Sequence, residues 1–157
     1  MKVMCYYNHK NKREGMVMPK ICEYLEKAFL SMNISHKRTL EDEKIFYQLT
    51  FHETSVLGGK MNVVIDKMFS TEIGAFAAKG ISQDIRSNML EKINEINIEF
   101  RFIRIVMDKN NDIYSCQQFI LFGNEEIMCK QIVINIVAFY DLHSRAVRKI
   151  METIRKE

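Results

Sequence analysis

The sequence predicts an α+β domain with the element order α-β-β-β-α-β-β-α, in which helices pack on a single five-stranded antiparallel sheet. Two observations lead to this class. In three parts of the chain apolar residues recur every three to four positions, which is the period of a helix with one buried side. Elsewhere they alternate every second residue, which is the period of a strand. The strands fall into groups with short connections, and strands joined by short turns are antiparallel.

Three helices are predicted from the apolar stripes and their end signals. Pro19 opens the first, where its missing N–H leaves no hydrogen bond unmade, and this helix ends near Asn33. Ser82 is the expected N-cap of the second, and Asn124, followed by acidic residues, is that of the third. The third runs to the end of the chain, either as one helix or as two that break near residues 141–143. The predicted core-facing stripes are Ile21, Leu25, Ala28 and Met32; Ile85, Met89, Ile93 and Ile96; and Val133, Val137, Tyr140, Ser144, Val147, Met151 and Ile154.

The alternating segments predict five strands. They are residues 45–52, 61–66, 73–78, 100–107 and 113–121. Residues 108–112, Asp-Lys-Asn-Asn-Asp, are turn formers, so the last two strands form a hairpin. Both faces of residues 100–107 are largely apolar, which predicts a strand in the middle of the sheet. The polar residues 35–44 before the first strand are predicted as a loop, with Glu41-Asp42-Glu43 as a solvated part of it.

Length and charge indicate one globular domain without a strong electrostatic partner. The chain has 157 residues, of which 47% are hydrophobic, and its 23 Lys and Arg against 20 Asp and Glu give a charge of +3. This charge is too small to require nucleic acid or a membrane. We expect residues 1–17 to be a basic N-terminal segment and residues 18–157 a single domain. The longest apolar run, residues 132–140, is far below the ~20 residues of a membrane span, and no signal peptide is evident, so a cytoplasmic protein is expected.

Two local motifs suggest a family. Ile93-Asn94-Glu95-Ile96-Asn97 leads into the predicted hairpin, and Gly123-Asn124-Glu125-Glu126 opens the last helix. With these motifs the chain resembles, over about residues 18–157, the YbjN family, whose fold is similar to that of type III secretion chaperones. Glu41-Asp42-Glu43 corresponds to the acidic residues that the family usually carries before its first strand. The basic N-terminal segment and the extended last helix depart from the family pattern. The resemblance implies a non-enzymatic module that binds proteins or acts in regulation, without catalytic residues.

The histidines and cysteines form no recognisable catalytic or metal-binding motif. The histidines are His9, His36, His52 and His143, and the cysteines are Cys5, Cys22, Cys116 and Cys129. Neither set has metal-ligand spacing, and Cys5 with His9 would supply two ligands on one turn without a second pair. We expect each histidine to be solvated or hydrogen-bonded and the cysteines to be reduced, small buried hydrophobes. No catalytic residue, metal or cofactor is therefore predicted.

Two further motifs are better explained as turns. Gly58-Gly59-Lys60 invites comparison with a phosphate-binding loop, but Met61 follows the lysine and a strand follows that, where a P-loop needs Ser or Thr and a helix. Asp108 and Asp112 bracket the hairpin turn and lack the ligand series of a calcium-binding loop. No small-molecule substrate is evident from either motif.

Protein binding is the function that the sequence favours. A sheet with two apolar faces is hard to cover in a small chain, so we expect a homodimer or a partner on the sheet face, with chaperone-like binding of an extended segment as the mechanism. One alternative is a nucleic-acid binder that uses residues 9–13 together with Tyr6 and Tyr7. Another is an enzyme with an unrecognised site. Methionines that could form a permissive binding surface or fill the core are Met16, Met18, Met61, Met68 and Met89.

Overall fold

The computed structural model describes residues 18–51 and 59–156. Its helices are α1 (Met18–Ser31), α2 (Arg86–Glu99), which follows a short 3₁₀ turn, and α3 (Glu125–Lys156). Its strands are β1 (Ile34–Glu41), β2 (Lys44–Phe51), β3 (Lys60–Ile65), β4 (Ser70–Ala78), β5 (Arg104–Met107) and β6 (Ile113–Ile120). The predicted α+β class and the hairpin of the last two strands are confirmed. The predicted number of strands is wrong, because the sheet has six.

The sheet is fully antiparallel, with the strand order β1-β2-β3-β4-β6-β5. The strand predicted for the middle of the sheet is therefore an edge strand, β5, and it has four residues. Its apolar neighbours Phe100 and Ile103 lie in the turn before it, where both are buried, while Phe102 is 77% exposed. The apolar run of residues 100–107 thus combines a buried turn with a short strand, which explains why its pattern resembled that of a central strand.

The strand missed by the prediction is β1, in the region expected to be a loop. It pairs with β2 along its whole length, and Asp42 and Glu43 form the connecting turn with positive φ angles of 48° and 61°. Two such residues in succession are typical of a tight hairpin turn. Arg38 lies on the helix side of β1 and pairs with Glu26 of α1, N–O 3.0 Å. A charged residue on the inner side hides the alternation that would have predicted the strand.

All three helices contribute to one core on a single side of the sheet. The strands of the sheet alternate between buried and more exposed residues, and the buried set packs with the apolar residues of α1, α2 and α3. α3 contacts β4, α1 and α2, so it is the central helix of this layer. No helix within the described ranges has the length and apolar character that crossing a membrane requires.

α3 is continuous through residues 141–143, which decides between the two predicted arrangements. Its buried side includes most of the predicted stripe, since Val147 is buried and Val133, Tyr140, Met151 and Ile154 pack against the core, whereas Val137 is 49% exposed. The buried residues of α3 are Met128, Cys129, Ile132, Ile136, Phe139, His143, Ala146, Val147 and Ile150. The prediction is wrong for Val137 because residues 132–140 are apolar almost all round the helix. The α1 stripe also needs correction, since Met32 lies beyond the helix and is 38% exposed, while Phe29 is buried.

Candidate functional site

The sheet face opposite the helices is the most extensive candidate surface of the described residues. Its side chains come from alternate positions of every strand, and none of the helices covers them. The largest apolar group on this face forms one row across three strands: Phe76 of β4 is in register with Tyr114 of β6, and Tyr114 with Val106 of β5. We call these three residues the sheet-face patch. Phe76 is 48% exposed and Val106 39%.

The aromatic pair gives the sheet-face patch a fixed geometry. The ring centroids of Phe76 and Tyr114 are 4.5 Å apart, and the Lys79 ammonium lies 4.8 Å from the Phe76 centroid. The next row of the sheet joins Gly74, Cys116 and Arg104. The patch is therefore bordered by a glycine, which has no side chain, and by the cation of Arg104. Burial raises the pKa of the Cys116 thiol, which therefore stays protonated near neutral pH.

The hairpin turn anchors Tyr114 at the edge of this face. The Tyr114 hydroxyl donates to Asp108 Oδ2 at 3.3 Å, and Asp108 Oδ1 accepts from the backbone N–H groups of Asn110 and Asp112 at 2.8 and 2.9 Å. These backbone donors, Asp112 first, lower the pKa of Asp108, while burial and the Asp108 charge raise that of Tyr114. Asp112 Oδ1 accepts from the Gly80 N–H at 2.8 Å. The Asp108 carboxylate therefore holds the hairpin turn, as predicted, whereas the Asp112 carboxylate ties the hairpin to the chain after β4.

The same face is hollowed over β1, β2 and β3. A depression of about 260 Å³ lies there, open to solvent. Phe46 contributes its apolar wall and is in register with Val64 of β3. The depression is otherwise mainly polar, and its lining residues are Lys37, Thr39, Glu41, Phe46, Tyr47, Gln48 and Asn62. The open face therefore combines a polar hollow at one side with the apolar patch at the other.

Beneath α1, a polar cluster joins that helix to the two first strands. Glu26 Oε1 accepts from the Tyr47 hydroxyl at 3.5 Å and pairs with Arg38 Nη1 at 3.0 Å. Burial, followed by the nearby Cys22, raises the pKa of Tyr47 far above its usual value, so the phenol is protonated. Burial acts to lower the pKa of Arg38, yet the acidic groups around it, Cys22 first, raise it. The cluster therefore fixes β1 under α1.

His143 and Ser115 form the one serine–histidine pair among the described hydrogen bonds. His143 Nδ1 lies 2.8 Å from Ser115 Oγ, and the His143 ring stacks on Phe139 with centroids 5.8 Å apart. Burial lowers the pKa of His143 to about 4, so the ring is neutral at physiological pH. Ser115 is fully buried and His143 is 4% exposed. A nucleophile needs access to its substrate, and this pair has none, so its role is structural.

Asn97, at the end of the family motif, has a structural role that the sequence analysis did not predict. Its Nδ2 donates to the Ile105 carbonyl at 2.9 Å, and its Oδ1 accepts from the Ile105 N–H at 2.7 Å. The side chain thus occupies the position of a neighbouring strand on the free side of β5. The Asn97 side chain therefore ties the end of α2 to β5.

The other predicted residues are dispersed. Met61 and Met89 are buried, whereas Met68 is 74% exposed. Cys22 and Cys129 are buried and reduced. His36 lies between α1 and the sheet, beside the rings of Phe29 and Tyr47 at 5.4 and 6.2 Å. Lys60 begins β3, so a phosphate-loop helix does not follow it. Within the described ranges no three His, Cys, Asp or Glu residues are grouped to hold a metal ion.

Several predicted residues lie outside the described part of the chain. They are Cys5, Tyr6, Tyr7, His9, Met16, His52, Gly58 and the basic residues 9–13. The nucleic-acid alternative depends on these N-terminal residues and stays a prediction.

No family model matches this chain, and no curated protein or solved structure is significantly similar to it. The resemblance to the YbjN family therefore stays a prediction, and function has to be argued from the surfaces of the molecule.

Proposed function

We propose that this protein is a non-enzymatic binding module that holds an extended apolar segment of another polypeptide on the open face of its sheet, in the manner of a chaperone. The observation that carries the proposal is the sheet-face patch of Phe76, Tyr114 and Val106. Contiguous apolar patches on the surface mark interaction sites when they are large, whereas single exposed apolar residues are ordinary. Aromatic residues also contribute a large share of binding free energy at such surfaces.

The shape of this face favours a polypeptide over a small molecule. Small-molecule sites are enclosed clefts with a few converging polar groups. The depression beside Phe46 is open to solvent and lined mainly by polar residues, and the sheet-face patch is a row of side chains across three paired strands. Phe76 and Val106 are two strands apart, which is roughly 10 Å at the usual strand spacing. An extended segment can contact both, because side chains on one side of it repeat every ~7 Å.

The charges beside the sheet-face patch indicate the chemistry of the partner. Lys79 lies over Phe76, and Arg104 belongs to the adjoining row of the sheet. Two carboxylates lie close to these residues. Asp108 is engaged by two backbone N–H groups and the Tyr114 hydroxyl, and Glu72, on the same face of β4, accepts from Gln118 Nε2 at 3.3 Å. Both carboxylates thus have hydrogen-bond donors of their own, whereas no ion pair of the described residues involves Lys79 or Arg104. We expect an apolar segment with acidic residues next to it.

The test measures binding of a permanently unfolded acidic polypeptide, reduced and carboxymethylated lactalbumin, by fluorescence anisotropy. The variant Phe76→Ser/Val106→Ser should bind it roughly tenfold more weakly or worse, as is typical for the loss of an aromatic anchor. The matched control is Ile98→Ser, because Ile98 is 75% exposed but lies on α2. Thermal unfolding of each variant checks that the fold is intact.

Two results would overturn the proposal. One is wild-type protein that does not bind the unfolded chain. The other is a double variant that binds as well as the wild type does, since the apolar row would then contribute nothing.

A further inference from the structure

We infer that α3 pairs with α3 of a second copy of this chain, in antiparallel orientation, through the side that faces away from the core. The inference is independent of the proposed function, because α3 and the open sheet face lie on opposite sides of the molecule. It rests on the order of charges and apolar residues along the exposed side of α3. The residues concerned, named here the α3 outer stripe, are Glu126, Lys130, Ile134, Val137, Asp141 and Arg145.

The α3 outer stripe is exposed along its whole length. Its members follow one another at steps of four, four, three, four and four, so they form one side of the helix. Ile134 is 67% exposed and Val137 49%. The buried side of α3, with Ile132, Ile136 and Phe139, is turned the other way. α3 therefore has an apolar centre on the side that its own chain does not cover.

The charged residues of the α3 outer stripe form ion pairs with each other within the helix. Its apolar centre, Ile134 and Val137, stays exposed to solvent. Lys130 Nζ lies 2.7 Å from Glu126 Oε1, and Arg145 Nη1 lies 3.8 Å from Asp141 Oδ2. Pairs four residues apart are common on solvated helices. A helix normally carries polar and charged residues on the side that faces water. The two branched aliphatic side chains between these ion pairs depart from that pattern.

The order of charges is complementary to its own reverse. Along the chain it reads negative, positive, apolar, apolar, negative, positive. If a second α3 lies antiparallel, with a two-fold axis between residues 135 and 136, Lys130 faces Asp141 of the second copy and Glu126 faces its Arg145. Ile134 then faces Val137 of the second copy. Each of these three facing pairs is favourable, and each occurs twice because the interface has two-fold symmetry.

The position of α3 permits this approach. It is the central helix of its layer, with α1 and α2 beside it and the sheet beneath. The stripe covers 20 residues of the helix, from Glu126 to Arg145, which is about 29 Å at 1.5 Å per residue. Pairing through this side leaves the two open sheet faces on the outside of the dimer.

The experiment uses charge reversal at the two inner charged positions, measured by analytical ultracentrifugation of the full chain. Lys130→Glu places two like negative charges opposite each other on both sides of the axis, and Asp141→Lys places two like positive charges there. Each variant alone should associate roughly tenfold or more weakly than the wild type. An equimolar mixture of the two variants should restore the dimer, because both oppositions then become Glu with Lys and Asp with Lys.

The control variant is Lys109→Glu, which makes the same change of charge in the exposed turn between β5 and β6. It should associate like the wild type, and circular dichroism checks that all variants are folded. The inference is overturned if the wild type is a monomer. It is equally overturned if the dimer survives both reversals, or if the mixture of the two variants stays monomeric. Restoration in the mixture cannot arise from a loss of folding and is therefore the decisive supporting result.

Discussion

The buried pair of His143 and Ser115 predicts a specific dependence of stability on pH. At pH values between its folded and unfolded pKa, a histidine whose pKa is lowered by burial is neutral in the folded chain and takes up a proton when the chain unfolds. The unfolded state therefore binds more protons, and the free energy of unfolding rises with pH. This contribution is complete above the unfolded pKa of 6.5 and is lost progressively as the pH falls towards the folded pKa of about 4.

The size of the effect follows from these two pKa values. At pH 7.5 the loss is negligible, and between pH 7.5 and pH 5.0 it amounts to about 2 kcal/mol. Below pH 4 the loss levels off at about 3 kcal/mol. The double variant His143→Phe/Ser115→Ala removes the titrating group together with its hydrogen-bond partner, so no buried polar atom is left unpaired. Such a paired replacement changes stability little at neutral pH.

The assay is urea unfolding of wild type and double variant at pH 7.5 and at pH 5.0. Carboxylates titrate in both proteins, so the difference between the two pH dependences isolates His143. We expect the wild type to lose about 2 kcal/mol more than the variant over this range. Equal losses in both would refute the reasoning, because His143 would then titrate normally in the fold.

Three further predictions concern the contacts that hold the sheet and helices in place. Asn97→Ala removes both hydrogen bonds to the β5 backbone and should lower the free energy of unfolding, measured in urea, by about 1–3 kcal/mol. The control Asn94→Ala, at an exposed position, should lower it by less than about 0.5 kcal/mol. Equal losses in the two variants would contradict the role of Asn97. Glu26→Ala removes the carboxylate that pairs with Arg38 and should lower the free energy of unfolding by about 1–2 kcal/mol in the same assay. The double variant Glu26→Leu/Arg38→Met should recover most of this loss of stability. A double variant as unstable as the single one would contradict the pairing. Asn124→Ala removes the N-cap of α3 and should lower the free energy of unfolding by about 0.5–2 kcal/mol, and an unchanged melting temperature would exclude the cap.

The helices and the paired strands were predictable because their signals are local. The cap at Asn124 and the stripe of Met89, Ile93 and Ile96 gave the beginning of α3 and the buried side of α2. β1 was not predictable in this way, since Arg38 on its inner side is compensated by Glu26, far away in sequence. Partners distant in the chain override the local pattern, and the alternation of a strand is then lost.

The candidate surface was predictable in kind but not in position. Apolar residues on both faces of a strand near Val106 indicated that the sheet offers contact area. The prediction could not place Phe76 beside Tyr114, because β4 and β6 are neighbours only through the crossover in strand order. Val137 of α3 was misplaced for a related reason: residues 132–140 are apolar almost all round, so this part of the helix has no single stripe from which to choose.

The measurement that tests the central claim most directly is methyl NMR of the protein with and without the unfolded lactalbumin chain. Val64, Val106 and Ile120 carry methyl groups on the open sheet face, while Ile98 and Ile134 carry exposed methyl groups on the helices. We expect the sheet-face signals to shift or broaden on binding and the helix signals to stay unchanged. Shifts confined to the helix methyl groups would contradict the account, because the polypeptide would then be bound on the opposite side of the molecule.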